Sequence, residues 1–556
     1  ARFLLGPKPR WPVRRIREAS IERTLKVLRR MQPESGGYLE ATPLTAFVVM
    51  SLAATGRGDV DVAREGKRFL DESMSGDGSW PIDTNLATWV TSLSVIALAG
   101  SGADRSWCDD SLVDWHLSCQ HRKRHPFTGA DPGGWGWTDL SGAVPDGDDT
   151  PAAILALLKM REECSAERQS EIDEALVHGV DWMLGLQNRN GGWPTFCRGW
   201  GKLPFDRSST DLTAHALRAL ISFRDHSLDS QNAVTLQGDR RIASALRRGM
   251  QFLIRQQRRD GSWLPLWFGN QDNPDEENPV YGSSRVVLGL AVMESKTGVR
   301  QVESVRGGAY LIRCQNSDGG WGGGPSVVAI HDGTLAKSSE VDPGRGDDPA
   351  AGGGEAKFEN RNGLQDRASV RDVADALEDT EARDGADRHG GESPAESVRS
   401  AHSGSADDAQ GPLRDAVMES PVVSTIEETA LAVESLCTLF AIRSGEFPGQ
   451  NSAEPFRRNG VSSEPGLDRD QYTGAKGRIE HENGFDAIPG GTEAVLAAIL
   501  GGVEFLIRRV EDQAHHRPWP IGFYFAKLWY YERLYPVVFT VAALGAFLHA
   551  CGTKTR

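Results

Sequence analysis

Apolar residues recur three and four positions apart through most of this chain, and the stretches that carry them alternate in character. Segments 243–257 and 306–315 put apolar side chains on one face and charge on the other, as a helix on the outside of a protein does. The stretches that follow such segments are apolar nearly all round, at 42–54, 86–99, 150–160, 211–223, 283–293, 426–440 and 536–550. A helix without a polar face must be covered on every side. Seven pairs, amphipathic outside and apolar inside, predict an all-α chain built as a concentric barrel whose inner ring lines a cavity. Six pairs close one barrel, so the pattern predicts a complete (α/α)6 toroid plus the end of a second, partial α/α barrel.

A longer periodicity marks the joints. Glutamine is followed six residues later by an aromatic at Gln32/Tyr38, Gln187/Trp193, Gln257/Trp263 and Gln315/Trp321, usually with glycine just ahead of the aromatic. Trp80 and Trp135 keep the Gly-containing ending without a glutamine at that spacing, and Gln513/Trp519 keeps the spacing without the glycine. The aromatics from Tyr38 to Trp321 lie 42, 55, 58, 70 and 58 residues apart, which is a repeat array. The repeat tryptophans Trp80, Trp193, Trp263 and Trp321 are expected in the core, stacked on neighbouring helix ends.

Two segments break the pattern. Residues 331–420 hold 21 acidic and 10 basic side chains with Phe358 as the sole aromatic, a composition that cannot bury enough apolar surface to offset ordering. Residues 444–491 form a second polar, Gly-rich insertion. The expected organisation is therefore 1–83 as the partial barrel, 84–330 as the first part of a catalytic barrel, 331–420 as a disordered acidic insertion, 421–443 as the barrel resumed, 444–491 as the second insertion, and 492–556 as the barrel's last part. The acidic insertion accounts for most of the net charge of −15, and a chain of that sign lacks the basic footprint of a nucleic-acid binder. Seven dispersed cysteines with no CxxC pair suggest neither a disulfide framework nor a zinc site, and fit a reducing compartment. The longest apolar run, 535–551, contains His549 and is short for a membrane span, so it reads as a buried helix.

Chemistry is concentrated where Asp146, Asp148 and Asp149 precede the apolar run that begins at Thr150. Three carboxylates in four positions cannot all ionise cheaply, so at least one should hold a proton at neutral pH. A carboxylic acid kept protonated beside ionised neighbours is a strong acid in a dry site. The plainer reading is a solvated loop with a helix N-cap.

Taken with the repeats, the stretch from Gly133 through Trp135 and Trp137 to Asp146, Asp148, Asp149 and Thr150 resembles the DxDD motif of the squalene–hopene cyclases and related class II triterpene cyclases. Ser209 to His215, with Asp211, resembles that family's second catalytic strip, and Gly522 to Pro536 its aromatic-rich ending. The resemblance implies that Asp148 protonates a terminal double bond of squalene or a related lipophilic linear polyprenoid. It implies that His215 hydrogen-bonds Asp148, that Asp211 contacts the same histidine, and that Asp146 and Asp149 tune and reload the acid. Trp89, Trp137, Phe196 and Trp267 match cavity aromatics, and Phe523, Tyr524, Trp529, Tyr530 and Tyr531 the terminal cluster, all stabilising cations. No cofactor or metal is implied, and no DDxxD motif is present. The family further implies peripheral contact with the cytoplasmic side of a membrane, without a transmembrane helix, and allows a homodimer.

Departures qualify the match. Val90 stands where the family has aspartate, and Phe196 where hopene cyclases usually carry tyrosine, which bears on how the cation is quenched. The family's upstream barrel is largely absent, so the chain is expected to be a fragment or a shortened paralogue. Three alternatives remain: a cyclase of another polyprenoid chain length, a zinc-dependent prenyltransferase-like protein with Cys197, Asp206, Asp211 and His215 as its nearest ligand set, and a non-catalytic α/α-toroid binding protein.

Overall fold

In a computed structural model of the chain, the described residues are 13–196, 204–229, 236–273, 275–324, 423–444, 485–523 and 528–552. The insertion at 331–420, most of that at 444–491, Cys197 and Tyr524 lie outside them. Among the described residues there are fourteen α-helices and one antiparallel strand pair. The first helices are α1 (Val13–Met31), α2 (Thr42–Ala54) and α3 (Asp61–Ser73). Then come α4 (Ala87–Ser101), α5 (Asp110–Ser118), α6 (Asp149–Arg161), α7 (Ala166–Leu186), α8 (Thr210–Asp229) and α9 (Leu236–Gln256). The chain continues with α10 (Pro279–Thr297), α11 (Val302–Arg313), α12 (Ile426–Ser444), α13 (Gly491–Glu511) and α14 (Tyr535–Ala550). Strands β1 (Ile521–Phe523) and β2 (Leu528–Tyr530) pair with Gly522 opposite Trp529.

The apolar runs correspond to α2, α4, α6, α8, α10, α12 and α14. Helices α4, α6, α8, α10, α12 and α14 pack each on the next, and α14 packs back on α4, closing a ring. Outside it, α7, α9, α11 and α13 lie against α6, α8, α10 and α12, which makes the protein an all-α toroid. One continuous core runs through the ring, while Tyr38, Leu52, Val62 and Ala63 form a smaller one around α2 and α3. Among the described residues no helix is long and apolar enough to cross a membrane; the terminal apolar run became α14, built into the ring.

Each repeat is a hydrogen-bonded joint. Gln187 Nε2 donates to Gly191 O of its own turn at 2.8 Å and to Ala245 O of α9 at 2.9 Å, tying one outer helix to the next. Gln32, Gln257 and Gln315 repeat this with Val62 of α3, Glu303 of α11 and Ala498 of α13 at 2.8–3.0 Å. The Trp135 repeat has its glutamine too: Gln120 Nε2 reaches Gly133 O at 2.7 Å and Ala175 O of α7 at 2.9 Å. The indoles of Trp193, Trp263 and Trp321 are fully buried, and each Nε1 donates to the carbonyl ten residues earlier, on Met183, Leu253 and Leu311, at 2.7–2.9 Å. Their backbone N–H groups donate to hydroxyls of the inner helices, Thr213, Ser283 and Thr429. Gly191 has φ +95°, and a Cβ there would lie 2.3 Å from Arg248 O of α9, so only glycine permits the close approach.

Trp80 departs from the core expectation. It is 50% exposed, although its Nε1 still reaches Leu70 O at 2.7 Å. Among the described residues no glutamine bonds its turn to a further outer helix, as Gln120 does for Trp135.

Gln187→Ala should therefore lower the melting temperature clearly, because it leaves the buried Gly191 carbonyl unpaired, at about 1–3 kcal/mol, and removes the bond to α9. Gly191→Ala should cost more, and Trp80→Ala much less than either. Thermal denaturation followed by circular dichroism checks the order; equal losses at Gln187 and Trp80 would contradict the stitching role.

Candidate active site

The three clustered carboxylates sit at the N-terminus of α6, held by the preceding turn. Asp146 N donates to Trp135 O at 3.0 Å, and Asp146 bridges to Phe196 in a single antiparallel pair. Its carboxylate then accepts from the backbone N–H groups of Asp148 and Asp149 at 2.8 and 2.7 Å, satisfying two donors at the helix start. The capping part of the plainer reading therefore holds at Asp146, but the loop is not solvated: Asp146 is 3% and Asp149 5% exposed. Burial pushes Asp146 up to about 6 even against those two donors. Burial, and then the charge of Asp146, raise Asp149 well above the usual carboxylate range. Asp146 has the backbone donors that favour a charge, so the shared proton resides on Asp149. Asp149 Oδ1 is buried and has no hydrogen-bond partner.

Asp148 differs from both neighbours. Its side chain keeps 18% of its surface open and lines the central cavity, and its Oδ1 lies 2.8 Å from His215 Nδ1 on α8. His215 is 5% exposed, and burial pushes its imidazole down to about 4 despite the partnership with Asp148. Asp211 does not reach this histidine as the sequence suggested. Its carboxylate accepts from Ser209 Oγ, because side chains in a first helical turn lean toward the helix N-terminus, where Ser209 lies. Burial raises Asp211 to about 6.

The cavity has a volume of about 980 Å³. Trp89, Trp137, Phe196, Trp267, Tyr530 and Tyr531 line it with the three aspartates. Trp529 does not: Leu528 and Tyr530 face the cavity, and alternation along β2 turns Trp529 the other way. The Phe523 side chain and all of Tyr524 fall outside the described residues. Ring contacts form a continuous wall, with Phe196 centred 6.1 Å from Trp137 and 5.3 Å from Trp267, and Phe268 4.7 Å from Tyr281. Polar ends of the aromatics bond to each other, as Trp89 Nε1 does to the Tyr535 hydroxyl at 2.7 Å.

Several residues here escape the sequence patterns. Phe205 packs 4.9 Å from Phe196, and Phe268 and Tyr535 complete the lining. Asp83, from the loop before α4, adds a fourth carboxyl to the acidic end of the cavity. Arg285 on α10 is 8% exposed, with its guanidinium carbon 5.6 Å from the Tyr281 ring and 6.0 Å from that of Phe539. A charge within the otherwise apolar 279–293 was the available signal for it. Among the described residues no cluster of His, Cys, Asp and Glu is arranged to hold a metal ion.

Residues 86–344 match the family profile of the squalene-hopene cyclase C-terminal domain. Enfumafungin synthase of Hormonema carpetanum is 28% identical over 342 residues, which are 57% of this chain and 24% of that protein. Squalene–hopene cyclase of Alicyclobacillus acidocaldarius is 27% identical over 241 residues, 38% of this chain and 32% of that one. Matches thus span a quarter to a third of these relatives' own lengths. Among solved structures, ent-copalyl diphosphate synthase from Streptomyces platensis is similar with a TM-score of 0.42 at 16% identity, over 88% of this chain and 55% of that one.

The buried carboxyls make stability depend on pH. An unfolded chain releases aspartic protons near pH 4, whereas the folded protein keeps them to about 6 at Asp146 and Asp211 and about 7 at Asp83. The native state binds more protons in that window, so these groups make stability fall as pH rises from about 4 to 7. Asp149→Asn has no proton to lose and should gain melting temperature relative to the parent over that range. A difference constant with pH would show that Asp149 ionises normally.

Proposed function

We propose that this chain, which belongs to the class II terpene cyclase family, cyclises squalene or a related linear polyprenoid to a polycyclic triterpene by protonating its terminal double bond. The observation that carries this reading is a single carboxyl, Asp148, hydrogen-bonded from behind by His215 at 2.8 Å and open in front onto an aromatic cavity. A proton passes from Asp148 to the terminal alkene carbon, and the tertiary cation left behind is attacked by the next double bond. Successive closures carry the charge along the chain until a proton is lost, giving a hopene-like hydrocarbon, or water adds, giving an alcohol.

Each side chain has a part in this. His215 is uncharged near neutral pH; donating from Nδ1 to Asp148 Oδ1, it leaves the other carboxyl oxygen to present the proton. The wall of Trp89, Trp137, Phe196 and Trp267 stabilises the migrating charge, at roughly 0.5–2 kcal/mol for each ring face, and offers no lone pair to trap it. The cavity's size stands at the upper end of the range for ligand sites, consistent with a long apolar substrate. So insoluble a substrate enters from a membrane or micelle surface, and peripheral membrane contact belongs to this reading. With phenylalanine at 196, a hydroxyl found in hopene cyclases is missing from the wall, which bears on where the cation is quenched.

Asp148→Asn should abolish product formation from squalene in detergent, scored by mass spectrometry, with the melting temperature nearly unchanged. His215→Ala should slow the reaction by about 10²–10⁴-fold, the usual worth of general-acid support. Full activity in Asp148→Asn would sink the mechanism. Because catalysis starts from a proton already on the protein, activity should also survive exhaustive EDTA; loss in EDTA with recovery on adding zinc would favour the transferase reading.

A further inference from the structure

Glu72, Met74, Ser75 and Tyr531, all exposed, are among the residues that line the cavity, so it reaches the surface. Eight residues beyond Ser75, the same loop presents Asp83 to the cavity that the acid cluster also lines. Its backbone is fixed from both sides: Thr42 N donates to Ile82 O at 3.0 Å and Thr84 N to Glu40 O at 3.2 Å, framing the bridge between Ala41 and Asp83. Farther along, Trp89 N donates to Trp137 O at 3.2 Å, which ties the loop to the segment leading into the acid motif. Among the described residues the Asp83 carboxyl has no hydrogen-bond partner, and it is within electrostatic reach of Asp146, Asp149 and the Tyr530 phenol. In the same cavity, the buried Oδ1 of Asp149 is also unpartnered. The Asp83 carboxyl and the unpartnered Oδ1 of Asp149 thus belong to the acidic end of one cavity.

We propose that Asp83 is the proton-loading residue of this site, taking protons from water at the cavity mouth and passing them to the Asp146/Asp149 pair, which replenishes Asp148. The proposal rests on the cyclase reading above. When Asp148 has given its proton to an alkene it is a carboxylate. The Asp146/Asp149 pair passes its shared proton to Asp148, Asp83 gives its own to the pair, and hydronium at the mouth restores Asp83. One proton enters for each one delivered to substrate, and the proton lost from the final cation returns to solvent, so the cycle balances without another reactant. Asp83 suits the task because burial and the nearby Asp146 hold its carboxyl at about 7, where it both accepts and releases a proton near neutrality.

The test uses the full chain with Asp83→Asn and Asp83→Glu. In the absence of substrate, infrared difference spectra between pH 5 and 9 should show a protonated-carboxyl band that titrates. Asp83→Asn should remove part of it and move the remaining titration to lower pH, whereas Asp83→Glu should restore the amplitude. With squalene in detergent micelles, Asp83→Asn should lower the steady-state rate at least tenfold more than the single-turnover rate, and Asp83→Glu should recover most of the loss. An infrared titration identical to the parent's, or equal slowing of the first and later turnovers, overturns the proposal. If the parent turns over no squalene, the cyclase reading fails while the infrared result still decides whether Asp83 shares protons with the pair.

Discussion

The toroid depends on one amide. In each complete repeat a glutamine Nε2 donates to a carbonyl of its own turn and to a carbonyl in the next outer helix, as Gln187 does to Gly191 and Ala245. A helix–helix contact made only of apolar side chains would be free to slide by a turn. Two directional bonds, with a glycine backbone pressed against the neighbouring helix, allow a single register. The buried indole then fixes the next layer: Trp193 bonds outward to Met183 O, while its backbone N–H bonds inward to Thr213 on α8. Outer register is thereby transmitted to the inner ring, and the placement of the N-termini of α6, α8, α10 and α12 follows from it.

That transmission makes the acid site sustainable. Carboxyl groups buried at the start of α6 are costly unless hydrogen-bonded, and Asp146 is bonded by Asp148 N and Asp149 N in a turn that the repeat has already fixed. The same turn comes close to the 193–196 segment, where a Cβ on Gly147 would meet Pro194 O at 2.3 Å. One small loop therefore divides the motif's labour. Asp146 supports the helix start, Asp149 keeps a proton, and Asp148 is the most open of the three to the cavity, with His215 from the next inner helix bonded to it.

Much of this could be read from residue order, and the failures have physical causes. Inner helices were visible because a stretch apolar all round has few alternatives, and the acid motif because three aspartates so close cannot ionise independently. Gln120 was invisible: fifteen residues separate it from Trp135, since the loop 121–132 was inserted between amide and indole without disturbing either bond. Trp80 has the sequence of a joint but no stitch to a neighbour, and spacing alone does not report whether a neighbouring helix is there. Trp529 belonged to an aromatic cluster whose strand alternation spacing could not reveal. Asp83 had no motif at all; a lone aspartate in a loop gains meaning only when the fold brings it to the cavity that Asp149 also lines.

The charge balance behind the acid adds a last constraint. Five carboxyls, those of Asp83, Asp146, Asp148, Asp149 and Asp211, gather at one end of the ring, yet the imidazole among them is held neutral. Burial is the first reason, and the second is that Arg285 on α10 and Arg218, one turn along α8 itself, oppose another positive charge beside them. Arg285 stays charged, favoured by Tyr281 and Asp148, and is seated over the Tyr281 and Phe539 rings. Gly289, one turn along α10, makes this proximity feasible, because α8 passes so close there that a Cβ would sit 2.9 Å from Ala214 Cβ. A permanent cation is therefore tolerated near a histidine that stays neutral. His215 holds the Asp148 carboxyl in place, and the arginine helps to keep that imidazole uncharged.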